Sequence, residues 1–256
     1  MEQRRRYKNP PIEEALCEFR FSPGQEWDLT LPGKLHTEIK EGYPGKPRQQ
    51  NVVEAAVQTT AGKPPNFVFR EGLAKVQLVN DGGTRMVAIG KDVLSVHMLR
   101  PYQDTEDPKK GGWEEFEPRI KAAMEAYWRV AEPVGVLRIG MRYINKVMVP
   151  AGKVSVEDYF KCGPPQVKEL PEDMNGFVSR VEYAYDDAVK LLLTHASIEA
   201  PENHVGFLLD LDVIWETPDA ITKYDALEKA GDLRARERVA FEAVITDRAR
   251  ELFDAA

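Results

Sequence analysis

Residues 205–216 read Val205-Gly206-Phe207-Leu208-Leu209-Asp210-Leu211-Asp212-Val213-Ile214-Trp215-Glu216. The odd positions Val205, Phe207, Leu209, Leu211, Val213 and Trp215 are all apolar, and the even positions include Asp210, Asp212 and Glu216. Successive side chains leave a strand on opposite faces, so this alternation predicts a strand with one buried face and one polar face. Residues 134–149 follow the same rule. Leu137, Ile139, Met141, Tyr143 and Val147 share one parity, with Arg138, Arg142 and Lys146 on the other. Residues 177–185 set Val181, Tyr183 and Tyr185 against Arg180 and Glu182. Strands of this kind belong to an antiparallel sheet covered on one face only.

Working outward, residues 13–21 alternate Ala15, Cys17, Phe19 and Phe21 with Glu14, Glu18 and Arg20. A short helix is predicted over 33–42, closed by Gly42-Tyr43-Pro44-Gly45. Strands follow over 52–60, 67–79 with a bulge at Gly72, 86–89 and 93–98. Asn80-Asp81-Gly82-Gly83 makes a tight turn, because Asn and Gly accept positive φ. A polar loop, 101–112, precedes a long helix in which Trp113, Phe116, Ile120, Ala123, Met124, Tyr127 and Ala131 form one apolar stripe. Glu114, Glu115 and Glu117 suit its first turn, and Pro133 stops it. The second half reads as a strand over 134–149, a short helix opening at Ser155, and strands over 177–185, 189–198 and 205–216. Helices are predicted over 218–230, ended by Gly231, and over 233–253.

Residues 1–132 and 133–256 therefore run in the same order: strand, short helix, several strands, long helix. The fold class is α+β, an antiparallel sheet with long helices packed on one face. Two similar halves and a single domain with coincidental symmetry are the two readings of that order.

The chain has 256 residues and a net charge of −7, with 43% hydrophobic and 30% charged residues. That composition belongs to a globular chain and speaks against unselective binding of polyanions. Two cysteines, Cys17 and Cys162, stand far apart, so neither a disulfide framework nor a structural zinc site is expected. A cytoplasmic protein is the expectation, since Pro10 and Pro11 follow the basic start where a signal peptide would be apolar. No membrane partner is expected.

Catalytic signatures are thin. Gly83…Gly90-Lys91-Asp92 lacks the spacing and the Ser/Thr of a phosphate loop, and the four histidines are scattered. Asp210 and Asp212, with Glu182, could hold Mg²⁺ in a nuclease or phosphatase. Glu38-Ile39-Lys40 falls in a helix, where the matching nuclease pattern needs a strand. No catalytic residue, metal or cofactor is assigned.

Asn9-Pro10-Pro11-Ile12-Glu13-Glu14-Ala15, Gly90-Lys91-Asp92, Val136–Asn145 and the closing Phe241…Ile245-Thr246-Asp247…Arg250…Phe253 resemble one sporadically distributed prokaryotic family of uncharacterised function. The resemblance runs along essentially the whole chain and draws attention to Glu14, Arg142, Tyr143 and Asn145. Patchy distribution implies mobile or host-defence genes. The expectation is a non-enzymatic binding or assembly module that recognises a protein or peptide on the polar face. Its site would comprise Glu14, Glu18, Arg138, Arg142, Tyr143, Asn145, Arg180, Asp210 and Asp212, with Arg138 and Arg142 as anchors. The rivals are the metal-dependent enzyme, a nucleic-acid binder using Arg138, Arg142 and Arg180 beside tyrosines, and a merely solvated face laced with ion pairs.

Overall fold

A computed structural model describes residues 6–23, 27–58, 66–103, 111–152, 154–164, 167, 169–171 and 174–254, and of 50–58 and 66–74 the backbone alone. Arg4, Arg5, residues 59–60 and the middle of the 101–112 loop lie outside the described residues.

Among the described residues, nine strands form one sheet: β1 Ile12–Phe21, β2 Arg48–Gln58, β3 Asn66–Val79, β4 Arg85–Gly90, β5 Val93–Leu99, β6 Val136–Pro150, β7 Val178–Ala184, β8 Val189–Ile198 and β9 His204–Ile221. The helices are α1 Leu31–Ile39, α2 Gly112–Ala131, α3 Lys223–Val244 and α4 Asp247–Asp254, with a 3₁₀ turn at Val156–Asp158. The strand order is β2-β3-β4-β5-β1-β6-β9-β8-β7, and every neighbouring pair is antiparallel. Both halves wind alike: the first strand lies at the centre, the last lies beside it, and the earlier ones step outward. β1 and β6 pair at the junction, so one continuous sheet runs through both halves.

The alternating patterns sort the faces as the sequence requires. Phe19, Ile139, Met141, Leu209 and Leu211 point to the helix side and are fully buried. There they meet Phe116, Ile120 and Met124 of α2 and Leu233 of α3 in one core. Each such large side chain contributes roughly 1.5–3 kcal/mol of burial. α2 starts at Gly111 and Gly112, both at positive φ (74° and 67°), and ends on Glu132 in the left-handed region. α3 is capped by Thr222, whose hydroxyl accepts from the Asp225 N–H at 3.3 Å.

The C-terminal region departs from its sequence reading. β9 runs on through Pro218 to Ile221, because the β6–β9 register shifts between Arg138/Glu216 and Val136/Ile221. Pro218 sits inside that irregularity, where its missing N–H costs no ladder bond. Gly231 does not end a helix: α3 continues to Val244. One interior glycine costs about 1 kcal/mol in a helix, and burial of Ala230, Leu233, Ala240 and Phe241 outweighs it. The break falls later, at Ile245-Thr246.

Candidate functional site on the open sheet face

On the face away from the helices, rows of side chains cross the sheet. One row is Met86, His97, Leu16, Arg142, Asp212, Leu192, Glu182; the next is Gln77, Ala88, Ser95, Glu18, Gly140, Ile214, Lys190. Glu14, Asp210 and Arg180 share a third row. The structure therefore gathers Glu14, Glu18, Arg138, Arg142, Asp210 and Asp212 over three central strands. Arg180 stands apart on the edge strand β7, exposed and without an ion pair among the described residues.

Glu18 is the hub. It accepts from Arg20 Nε at 2.9 Å, Arg138 Nη1 at 2.9 Å and Lys75 Nζ at 3.1 Å. Burial raises its pKa, but Lys75 and Arg20 outweigh burial and hold it below the usual value. Arg138 also donates through Nε to Glu216 at 2.9 Å. Arg142 grips both oxygens of Asp210, at 2.8 and 2.6 Å. The two expected anchors are thus engaged within the protein, Arg142 keeping Nη1 and 40% side-chain exposure for an outside group.

Asp212 differs from all of these. Its side chain makes no hydrogen bond or ion pair among the described residues, and burial pushes its pKa up to about 6 despite Arg138 and Arg142 nearby. Gly140, beside it, brings backbone close to this pair: a Cβ there would stand in ordinary contact, 3.5 Å from Asp212 Oδ1 and 3.6 Å from Arg138 Nη1.

A second grouping escaped sequence reasoning because its members lie on two strands. His97 Nδ1 stands 2.7 Å from Glu14 Oε1, and its Nε2 stands 2.8 Å from Ser95 Oγ. This is the serine–histidine–carboxylate order of hydrolytic triads. Two facts argue against acyl transfer. Ser95 is 1% exposed. Its strand is paired on both sides, so its backbone N–H groups serve the ladder rather than an oxyanion.

Tyr143 and Asn145 fall on the opposite, helix-covered face, as their odd parity demands, and both are 1% exposed. There the Tyr143 hydroxyl meets that of Tyr102 at 2.9 Å, and its ring lies 4.5 Å from the Arg234 guanidinium. Arg234 donates to Glu237 at 2.6 Å, and full burial drives the Glu237 pKa up to about 7. Arg234 and Glu237 were missed, yet a signal existed. Ala226, Ala230, Leu233, Glu237, Ala240 and Phe241 make one buried helical stripe whose sole charged member is Glu237.

No protein-family model matches the sequence, and no curated protein matches it.

Proposed function

We propose that the protein is a binding and assembly module with no catalytic centre of its own, whose open sheet face receives a protein or peptide partner. Asp212 carries this reading: a half-buried carboxylate that has no donor among the described residues and lies next to the Nη1 edge of Arg142, which makes no hydrogen bond among them. A solvated face would leave such a group in water or paired with a neighbour. A polypeptide brings both what Asp212 lacks, an N–H or cationic donor, and an acceptor for Arg142 Nη1. The resemblance to a patchily distributed prokaryotic family fits an accessory component of a mobile or host-defence system.

The metal-dependent reading has less support. Arg142 occupies both oxygens of Asp210, and Leu192 stands between Asp212 and Glu182. Nucleic-acid binding is disfavoured by the carboxylates interleaved with every central cation, which would repel phosphate.

The deciding experiment is affinity purification from the native host with wild-type bait, Asp212→Arg bait and a control substituted at exposed Leu29, which lies outside both faces in question. A partner retained by wild type and by the control but lost from Asp212→Arg is expected. Recovery of no partner by wild type, or equal recovery by Asp212→Arg, would sink the proposal.

A further inference from the structure

On the helix side of the sheet, a cleft of about 730 Å³ lies between Pro10 and Pro11, the start of α2 and the middle of α3. Trp113, Tyr102, Tyr143 and Phe241 give it aromatic walls. Its volume falls in the range of small-molecule sites, which are mostly apolar with a few placed polar groups.

Two of those polar groups are unsatisfied. Arg234 Nε and Asn145 Oδ1 are buried and have no hydrogen-bond partner among the described residues. The Asn145 amide is oriented by its other end, because Nδ2 donates to the Leu209 carbonyl at 3.1 Å, so the orphan atom is the acceptor oxygen. Buried orphans are rare and costly, and such atoms mark places where water or a ligand belongs. Both residues line this one cleft. Tyr143, beneath the Arg234 guanidinium, is two residues from Asn145 on β6, or about 7 Å along the strand. One small molecule spans that distance.

We infer that this cleft binds a small organic acid with an apolar or aromatic body, its carboxylate meeting Arg234 and an N–H or O–H donor meeting Asn145. The carboxylate follows from the charges that line the cleft: the guanidinium groups of Arg6, Arg234, Arg238 and Arg250 outnumber the carboxylates of Glu114, Glu237 and Glu242. The body follows from the aromatic and proline walls. A free N-acylated amino acid and the C-terminal residue of a peptide present the same chemistry.

Gly231 supplies the test. It lines the cleft inside α3, and a Cβ there would meet nothing within 4 Å. Gly231→Leu therefore fills the cleft without disturbing the helix. The full chain would be titrated by calorimetry with N-acetyl-L-phenylalanine, 4-hydroxyphenylacetate and a hexapeptide ending in a phenylalanine carboxylate, with N-acetyl-L-phenylalanine amide as the uncharged control. At least one acid is expected to bind, with affinity about tenfold or more above the amide and a similar loss in Gly231→Leu at unchanged or higher Tm. Tighter binding of the free amino-acid derivative points to a metabolite, and of the hexapeptide to a peptide terminus. Failure of all three acids, equal binding of the amide, or wild-type affinity in Gly231→Leu would each overturn the inference. Asp212→Arg, on the other face, is expected to leave this binding unchanged, so the outcome is independent of the docking proposal.

Discussion

Arg142 and Asp210, on neighbouring strands of the open face, are joined by a two-point fork, Nε to Oδ1 at 2.8 Å and Nη2 to Oδ2 at 2.6 Å. Asp210 is largely buried whereas Arg142 is 40% exposed, so the acid depends on the pair more than the base does. Arg142→Met leaves a buried carboxylate without a donor and is expected to cost on the order of 1–3 kcal/mol in urea unfolding. Arg142→Met combined with Asp210→Leu removes both charges and should recover most of that loss. Strict additivity of the two single changes would show the fork to be energetically idle.

Asp212 gives the fold a pH dependence of unusual sign. Its folded pKa is about 6 against an ordinary value of 3.8. Between those values the native state binds more protons than the unfolded chain, so the stability contributed by this group falls as pH rises through that window. Asp212→Asn should flatten this slope and stabilise the protein at pH 7 and above, by at most about 3 kcal/mol. Carbon-13 NMR titration of the carboxyl, with urea unfolding across pH 4 to 8, checks both statements.

Glu237 behaves alike over a higher window, from its ordinary 4.5 to about 7. The groups that face it are Arg234, Arg238 and Glu242 on α3 and, through Arg234, Tyr143 and Tyr102. Burial dominates these, so its contribution too is lost as pH rises. Glu237→Gln keeps an acceptor for Arg234 and should remove the part of the slope that lies above pH 6, beyond the Asp212 window. An unchanged slope would place the titration elsewhere.

The Ser95–His97–Glu14 relay is expected to be inert. A fluorophosphonate probe should leave Ser95 unmodified, as read by intact mass, because the hydroxyl is sealed at 1% exposure. Ser95→Ala should cost about 1 kcal/mol, the worth of one satisfied hydrogen bond. A Ser95 adduct that disappears in His97→Ala would reassign this face as catalytic.

Gly231→Ala should raise stability by about 0.5–1 kcal/mol, since the helix interior there has room for a methyl group and glycine carries excess backbone entropy. Thermal unfolding measures it directly.

The polar face was legible in the sequence residue by residue. Glu14, Glu18, Arg138, Arg142, Asp210 and Asp212 all project from the side that their parity assigns. The same parity put Tyr143 and Asn145 on the other side, and only the resemblance had grouped them with the rest. Pro218 and Gly231 misled because they break isolated elements, whereas here a register shift absorbs the proline and core packing carries the glycine. Arg234 was hidden because its significance lies in a cleft formed by the N-terminal segment, α2 and α3 together.

Alternation alone determined which side chains share a face, since a strand has a side-chain period of two whatever surrounds it. Which charges meet was decided only by the tertiary structure. Glu18 and Arg138 are 120 residues apart and touch because β1 and β6 became neighbours at the sheet centre. Strand order and register emerge from packing the entire chain, which no local pattern encodes.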